Sequence, residues 1–316
     1  MLDFKNFACF DSEGNWYKGN LHSHTTRSDG EAQPQELVDW YWRHGYDFLA
    51  ITDHDTVTDV EALKRDGIVL IPGVEFGYAP KEMPGYVLDM LGLNVQRLPE
   101  MLDPEGKNQA VYDEKMSPQA IIDDVRAQGG VAVMCHPYFM WNTIEPYEKY
   151  HGYIGLEAYN FVCDAEWGRG YHEIYWDVLM HRGMKLLGFA TDDSHAADFG
   201  HGWIMVKAVE KTREAIMEAI KNGQFYATQG PQILHVKYSQ EEVEVTFDRP
   251  CTVYFKADSN LNSHVVHVWD TESRVTNGVR QYSAKCRLVE EAYHAFRIEM
   301  VDETGKKAYT NPAYVI

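Results

Sequence analysis

The sequence predicts an α/β domain followed by a smaller all-β domain, and three observations lead to this prediction. Short apolar runs alternate with helix-like stretches through roughly the first two thirds of the 316 residues. After Gly230-Pro231 only strand-like runs follow. The composition, 45% apolar and 24% charged, is that of a folded chain with a sizeable core. We therefore expect a βα barrel or doubly wound sheet in residues 1–230 and a β-sandwich in residues 231–316.

Seven short runs in the first region have the length and composition of strands, and each ends in polar or ionisable residues. In chain order they are GNLHSHT, DFLAITDHD, IVLIPGVEF, YVLDMLGLN, VAVMCHP, YIGLEAYN and LLGFATDDSH. The alternation of strands and helices predicts parallel pairing, which places functional side chains at the C-terminal ends of the strands.

Helix-like stretches separate several of these strands. They are QPQELVDWYWRHG, SPQAIIDDVRAQGG, the long DAEWGRGYHEIYWDVLMHRG, and TREAIMEAIKNG before the linker. Ser117 before Pro118 predicts the start of the second helix, and Gly129 predicts its end. The polar residues 99–116 predict a loop over the barrel mouth or a mobile lid.

The last region contains six strand-like segments with no helical pattern between them. They are ILHVKYS, EVEVTFD, TVYFKAD, SHVVHVWD, VRQYSAK and YHAFRIEMVD. Their partial alternation and the turn residues between them predict an antiparallel β-sandwich.

The charge balance limits the partners that we expect. The chain has 29 Lys and Arg against 48 Asp and Glu, a formal net charge of −19. Such a field repels phosphate backbones and anionic membranes, so we expect neither duplex nucleic acid nor a membrane as partner. The N-terminus lacks a signal-peptide pattern, which predicts a cytoplasmic protein. The five cysteines form no CxxC pair, and we expect them to be reduced and buried.

Histidines and carboxylates at the strand ends indicate a metal site. His22 and His24 are two residues apart and share one face of a strand. With 14 His in 316 residues, chance alone gives roughly 0.6 such pairs, so this pair is weak support by itself. Further ionisable residues lie at the ends of other strands: Asp29, Asp53, His54, Asp55, Glu75, His136, Asp192, Asp193 and His195. Core histidines and surface carboxylates explain any one of these, but not their repeated placement. Imidazole and carboxylate ligands together suit Zn, Mn or Fe.

These motifs resemble a known family. GNLHSHTTRSDG, ITDHD, PGVEF, CHP, GLEAYN and TDDSH are similar, in order, to the motifs of the polymerase-and-histidinol-phosphatase (PHP) family of metal-dependent phosphoesterases, over residues 19 to 206. WYKGNLHSHTTRSDG and FYATQGP also resemble the carbaryl-hydrolase branch of that family, whose members often carry an extra β domain. The resemblance implies a distorted seven-stranded βα barrel that holds two or three divalent metal ions.

The resemblance also implies a distribution of ligands. The first ion would be held by His22, His24, Glu75 and Asp193. Glu75 would bridge to a second ion bound by His136, and a third would be held by Asp29, His54 and His195. Spacing supports Asp193 over Asp192, because only Asp193 shares a strand face with His195. Where many relatives have a second-metal histidine, this chain has Asp89, which either supplies an oxygen ligand or leaves that site weak or empty.

Other residues near these motifs are candidates for supporting roles. His195 and His201 are candidate catalytic residues; His201 either donates a proton to a leaving group or touches phosphate, or is a structural loop histidine. Arg27 either contacts a substrate phosphate or is solvated. Asn160 orients ligands or substrate. Three carboxylates would support the ligands from behind, namely Asp53, Glu157 and Asp192.

These expectations lead to a functional hypothesis. Clustered divalent ions lower the pKa of a bridging water, and the resulting hydroxide can attack phosphorus. We therefore expect a hydrolase that acts on a small phosphorylated molecule: a phosphomonoester, a cyclic phosphodiester or a nucleotide. One alternative is hydrolysis of a carbamate, ester or amide, because the same hydroxide attacks carbonyls. Another is a non-catalytic binding protein with a metal-stabilised barrel.

Overall fold

The computed structural model describes residues 2–63, 65–78, 83–100, 102, 117–196, 199–257, 264–288 and 295–315. The strands in these ranges are β1 (Leu2–Asp3), β2 (Asn15–Asn20), β3 (Phe48–Ile51), β4 (Val69–Tyr78), β5 (Leu88–Leu93), β6 (Val131–Met134), β7 (Gly155–Asn160), β8 (Leu187–Thr191), β9 (Trp203–Ala208), β10 (Phe225–Thr228), β11 (Ile233–Tyr238), β12 (Glu242–Phe247), β13 (Cys251–Ala257), β14 (His264–Val266), β15 (Glu272–Thr276), β16 (Val279–Arg287), β17 (Ala295–Asp302), β18 (Lys307–Thr310) and β19 (Ala313–Val315). The α-helices are α1 (Pro34–Arg43), α2 (Pro118–Ala127), α3 (Glu145–Lys149), α4 (Phe161–Trp167), α5 (Glu173–His181) and α6 (Arg213–Lys221). The greater part of the predicted loop or lid, residues 103–116, lies outside the described residues.

The first region is an α/β fold, as the sequence predicts. Its strands follow the order β9-β2-β3-β4-β5-β6-β7-β8. The pairs within β2-β3-β4 and within β6-β7-β8 are parallel. An isolated parallel bridge between Ser23 and Ser194 brings the ends of β2 and β8 together. The strand order and this bridge agree with a distorted seven-stranded barrel.

The expectation of parallel pairing throughout is wrong for one strand. β5 pairs antiparallel with both β4 and β6. A parallel connection needs a crossover of about a dozen residues or more. Only residues 79–87 separate β4 from β5, so the chain returns directly and reverses its direction.

The helix boundaries follow the predicted signals, with one exception. Ser117 caps α2 by accepting a hydrogen bond from the backbone N–H of Ala120, which confirms the predicted start. The long stretch predicted as one helix is two helices, α4 and α5. Gly168, at φ 64°, adopts the left-handed conformation that ends α4, because its N–H bonds back to Asp164 and Cys163.

The C-terminal strands form the predicted β-sandwich. One layer is a four-stranded antiparallel sheet in the order β11-β12-β16-β15. The other layer contains β13, which pairs with β14 and β17. Buried side chains from both layers meet in one core, including Val236, Val245, Phe247, Val253, Phe255, Ile298 and Met300. β15 and β19 were not expected from the sequence, because ESRVT is polar and AYV is short.

The sheet of the first region continues into the C-terminal region. β10 pairs with β18, and β1 pairs with β19. The first residues of the chain also pack into the second core, through Leu2, Phe4, Phe7 and Phe10. The boundary at residue 230 stays a prediction.

Two further findings concern the cysteines and the lengths of the helices. Cys9, Cys135, Cys163, Cys251 and Cys286 are all free and buried. Within the described ranges, the helices are too short or too polar to span a bilayer.

Candidate metal centre

The candidate ligands lie at the edge of the first sheet where the parallel strands end. His22 follows β2, His136 follows β6, and Asp193 follows β8. Glu75 lies within β4 and forms an isolated parallel bridge with His54. Because the carboxyl ends of parallel strands meet at one edge, side chains that are distant in sequence converge here.

Four buried side chains form the inner group, defined as His22, His24, Glu75 and Asp193. Their ligand atoms all lie within 4.8 Å of one another. The Nε2 atoms of His22 and His24 are 3.1 Å apart, and lie 3.0 and 3.1 Å from Glu75 Oε2. Both Nε2 atoms are 3.1 Å from Asp193 Oδ1. Two imidazole nitrogens and two carboxylate oxygens this close together are suited to coordinate a metal ion.

The hydrogen bonds around the inner group indicate that it fits a cation. His22 Nδ1 donates to Glu157 Oε1 at 2.7 Å, so that when Nε2 loses its proton in favour of a metal ion, its lone pair faces into the group. Glu75 Oε2 is buried and has no hydrogen-bond partner among the described residues, although three histidine nitrogens lie 3.0 to 3.3 Å away. A buried carboxylate oxygen without a donor is costly, and a bound cation would remove that cost.

A second set of side chains forms the outer group, defined as His24, Asp29, His54 and His195; buried His24 belongs to both groups, and the other three are nearer to solvent. His195 Nδ1 donates to the Asp193 carbonyl at 2.8 Å, which leaves Nε2 facing Asp29 Oδ1 at 3.5 Å. Asp29 is also 3.7 Å from His24 Nδ1 and from His54 Nε2, and its side chain is 56% exposed. The outer group therefore lies on the side that a substrate reaches first.

His136 extends the cluster on its other side. Its Nε2 lies 3.2 Å from Glu75 Oε1 and 3.8 Å from Asp193 Oδ2. A cavity, the ligand cavity, lies at these side chains and is lined by His136, Glu75 and Asp193 among others. Asp89 also lines this cavity. Among the described residues, however, Asp89 belongs to none of the groups of three or more side chains that could together hold a metal ion. Burial, followed by repulsion from Glu75, raises the pKa of Asp89 to about 7. The role of Asp89 as a ligand stays a prediction.

The sulfur atoms of two cysteines lie close to the ligand atoms of this cluster. Cys135 groups with Glu75 and His136, and Cys163 groups with His136 and Asp193. Burial raises the pKa of both thiols well above the ordinary value, and the nearby carboxylates raise it further. Both sulfurs are therefore protonated near neutral pH and are poor metal ligands in that state.

Burial and neighbouring charges shift the pKa values of the ligand side chains in opposite directions. Burial lowers the pKa of His24 and His136, but the nearby carboxylates of Asp193 and Glu75 outweigh it and raise each pKa to about 9. Burial raises the pKa of Glu75, but His22 and the other imidazoles hold it well below its usual value. The carboxylates are therefore ionised, and without a metal the imidazoles retain protons to balance them.

Glu157 supports the ligands from behind. It is fully buried and accepts hydrogen bonds from His22 Nδ1, the His136 backbone N–H, Asn160 Nδ2 and Thr191 Oγ1, at 2.7 to 2.9 Å. Of the two roles expected of Asn160, its contacts agree with orienting ligands rather than with orienting a substrate. Asn160 is fully buried, its amide donates to Glu157 and Asp193, and its carbonyl caps α4. Its position at the end of β7 directs it towards the ligands rather than towards solvent.

Asp53 and Asp192 organise the loops that carry ligands. Asp53 accepts hydrogen bonds from Thr25, Ser28 and Thr58, which fixes the loop between His24 and Asp29. Asp192 accepts from the backbone N–H groups of residues 200, 201 and 202 at 2.7 to 2.8 Å. Both side chains hold backbone in place, and neither belongs to the inner or outer group.

The structure does not bring two of the expected residues to the cluster. Arg27 is exposed and lines a separate cavity with Thr56, Thr58 and other residues. The His201 ring stacks on Phe161 with centroids 3.9 Å apart, and it does not line the cavity of the ligand cluster. The expected contacts of Arg27 and His201 with phosphate, and a proton transfer by His201, are therefore not supported by their positions. Both residues lie in loops, whose direction the sequence pattern does not fix.

Sequence reasoning also missed residues at the site. The hydroxyl of buried Tyr41, on α1, donates to Asp192 Oδ2 at 2.7 Å and accepts from Asn20 Nδ2 at 2.9 Å. Phe139, Met140 and Trp167 line the same cavity as the ligands. Phe139 and Met140 follow the CHP motif after one intervening residue, Tyr138, and this proximity is the signal that could have found them.

Comparison with known proteins gives partial matches among curated sequences. The 5'-3' exoribonuclease of Haemophilus influenzae is 38% identical over 84 residues, which are 25% of this chain and 30% of that protein. The 5'-3' exoribonuclease Rnm of Escherichia coli is 39% identical over 82 residues, 24% of this chain and 27% of that protein. The chain thus spans less than a third of the length of these relatives.

A solved structure matches nearly the whole chain. It is a two-domain protein containing a predicted PHP-like metal-dependent phosphoesterase from Bacteroides vulgatus, with a TM-score of 0.52 and 16% identity. The match covers 91% of this chain and 90% of that one, which shows that the two share a fold. The closer similarity to the carbaryl-hydrolase branch stays a prediction.

A model of the PHP domain family matches residues 20–226. This range includes every residue of the inner and outer groups, and it covers well over half of the chain. The chain therefore belongs to the PHP domain family, a family of metal-dependent hydrolases.

Proposed function

We propose that the protein hydrolyses a phosphoester of a small molecule, with two or three divalent ions held by the inner group, the outer group and His136. Imidazole nitrogens and carboxylate oxygens in this mixture suit Zn, Mn or Fe. The observation that carries the proposal is the position of Glu75. Its Oε2 contacts nitrogens of both groups, while its Oε1 contacts His136.

The position of Glu75 supports more than one ion. A carboxylate with separate ligands around each of its oxygens is suited to bridge two cations and to offset their repulsion. When bound, such ions lower the pKa of a coordinated water and neutralise charge on a phosphoryl group. A purely structural ion would need only a closed, buried set of ligands. Here the exposed carboxylate of Asp29 leaves one side of the cluster open to a substrate.

Other side chains of this protein orient the ligands or face the side from which a substrate would bind. Glu157 fixes the His22 ring through Nδ1, and Asn160 fixes the Asp193 carboxylate, so the inner group is oriented before a substrate arrives. His195, held by the Asp193 carbonyl, presents Nε2 at the open side. There it can contact the phosphoryl oxygens or donate a proton to the departing oxygen.

A nucleotide is the substrate class that the relatives favour. The two partial matches are named as 5'-3' exoribonucleases, which act on phosphodiesters of nucleotides. The net charge of −19 disfavours a long polyanion or a duplex and leaves a mononucleotide or a short single strand. The cavity at the ligands, about 220 Å³, is smaller than the roughly 300–1,000 Å³ of pockets that enclose a whole small molecule, so it suits the phosphate end of a substrate whose remainder lies outside.

The proposal is tested with Glu75→Gln, which keeps the shape of the side chain and removes its charge. We expect this variant to lose bound Mn by elemental analysis, and kcat/KM on an aryl phosphate to fall by roughly 10³-fold or more. Glu241→Gln, on an exposed residue of the C-terminal region, is the matched control and should change neither quantity.

A second variant covers the case in which Glu75→Gln does not fold. His195→Ala removes a partly exposed member of the outer group, whose side chain is 28% exposed. It should retain the fold, measured by circular dichroism, and lose most of the activity. Full phosphatase activity in metal-free protein, or turnover of aryl carbamates but not of any phosphoester, would refute the proposal.

A further inference from the structure

Aromatic side chains lie at the ligand cavity and next to it in the chain: Phe139 and Trp167 line the cavity, and Tyr138 and Trp141 belong to the same segment as Phe139. We call Tyr138, Phe139, Trp141 and Trp167 the aromatic rim. Trp141 is 69% exposed, Trp167 is 48% exposed and Tyr138 is 40% exposed. Large aromatic side chains are rarely left in water in a cluster, and such clusters mark binding surfaces. None of these side chains is needed to hold the metal ligands described above.

The rim is continuous with the ligand cluster. The Phe139 ring packs edge-on against the His136 ring, with centroids 5.3 Å apart and an interplanar angle of 89°. The centroids of the Trp167 and Phe139 rings are 4.7 Å apart, and both rings line the ligand cavity. A path of ring surfaces therefore leads from a ligand of the cluster out to solvent.

The cavity has a polar floor and apolar walls. The floor is formed by His54, Glu75, Asp89, His136, Asp193 and His195. The walls are formed by Phe139, Met140, Val162, Cys163 and Trp167. This division suits a substrate with a charged group at one end and an apolar group, wide enough to contact both walls, at the other.

The rim also carries a positive charge. The Arg169 guanidinium lies over the Trp141 ring, 3.7 Å from its centroid. Trp141 itself has φ 55°, in the left-handed region that a residue with a side chain seldom adopts. The Trp141 ring lies largely in solvent, with one face covered by the Arg169 guanidinium.

We infer that the aromatic rim binds the base of a nucleotide substrate, which stacks on Trp167 and Phe139 while its phosphate lies over the ligand cluster. This inference rests on the proposed function and adds the part of the substrate that is recognised. Every nucleobase has a flat π-face, so stacking on indole and phenyl rings binds bases with little sequence preference. Aliphatic phosphoesters lack such a face and gain less from these walls.

The test compares AMP with ribose 5-phosphate, which share the phosphoester and differ by the base. In the Mn-loaded full-length protein we expect AMP to bind roughly tenfold more tightly or better, by calorimetry and by KM. Trp167→Ala should remove most of this difference, and Trp167→Phe should restore part of it. Trp269→Ala, on a 74% exposed tryptophan of the C-terminal region, is the matched control and should keep the difference.

The outcomes separate this inference from the proposed function. Equal preference for AMP in wild type and Trp167→Ala, with turnover intact, would overturn the inference and leave the function standing. No turnover of either compound would count against the function, while the calorimetric comparison would still decide whether Trp167 binds the base. Trp167-dependent binding of an aryl carbamate without binding of AMP would assign the rim to an aryl group and would also overturn the inference.

Discussion

Asp89 is the residue at which this chain departs from the family pattern that its motifs resemble. It lies in the buried cavity beside Glu75 and His136, and burial raises its pKa to about 7. Near neutral pH the carboxyl group is therefore only partly ionised in the absence of a cation. A metal ion on this side of Glu75 would meet oxygen from Asp89, where an imidazole would supply nitrogen.

Asp89→His should change which metal the cluster prefers. Because Zn favours imidazole nitrogen more than Mn does, we expect a several-fold higher ratio of bound Zn to Mn. The measurement is elemental analysis after dialysis against equal concentrations of both metals. Asp89→Asn, which removes the charge without adding a nitrogen ligand, is the control. An unchanged ratio in Asp89→His would mean that residue 89 does not contact the metal.

At this scale the sequence predicts which side chains converge at the strand ends, and it indicates less about the residues around them. His22, Glu75, His136 and Asp193 could be found because strand ends converge, and convergence follows from the topology. Side chains in loops carry no such constraint. For His201 the sequence therefore leaves catalytic and structural roles open, and its ring stacks on Phe161.

At the scale of elements, turn geometry explains where prediction failed. The break between α4 and α5 depends on the left-handed conformation of Gly168, which a periodic apolar pattern on both sides conceals. The reversal of β5 depends on the length of one connection rather than on the composition of the strand. Both features bear on the site, since α4 carries Trp167 and β5 carries Asp89.

A charged network joins α5 to the C-terminal sheet. It contains Asp177, Lys256, Arg297, Glu299 and Lys307. Arg297 is fully buried and lies 2.7 Å from Asp177 and 3.1 Å from Glu299. Burial raises the pKa of Glu299, but Arg297 and the two lysines outweigh it and lower the pKa to about 2. The ionised form of Glu299 is therefore the one that the folded state favours.

Glu299→Gln should destabilise the protein in a pH-dependent way. A pKa of about 2 in place of the usual 4.5 corresponds to about 3 kcal/mol of unfolding free energy. This contribution is complete above the unfolded pKa and is lost as the pH falls towards 2. In urea unfolding the variant should therefore be less stable than wild type at pH 7, and the difference should shrink steadily below pH 4.5.

The control for this prediction is a weaker pair on the surface. Asp123 lies 3.7 Å from Arg126, and both side chains are 57% exposed. Asp123→Asn should change stability little at any pH, because exposed pairs contribute little. Equal destabilisation by Glu299→Gln at pH 7 and near pH 2 would show that the loss comes from packing rather than from charge.

At the scale of the whole molecule, the two regions are joined more closely than the sequence indicates. The linker at Gly230 and the change in strand pattern predict two domains, and two separate cores are present. The pairing of β10 with β18, and of β1 with β19, cannot be foreseen, because pairing between distant strands leaves no local signal. The N-terminal segment carries the large apolar residues Leu2, Phe4, Phe7 and Phe10, but its sequence gave no indication of which core it would join.

The most direct test of this account is anomalous diffraction from crystals of the full-length protein grown with Mn, measured on both sides of the Mn absorption edge. We expect two or three Mn peaks around the Glu75 carboxylate, with ligands from both the inner and the outer group. Glu75→Gln crystals should lose these peaks. Peaks elsewhere in the molecule, or none in wild type at saturating Mn, would contradict the assignment of this cluster as a multinuclear metal centre.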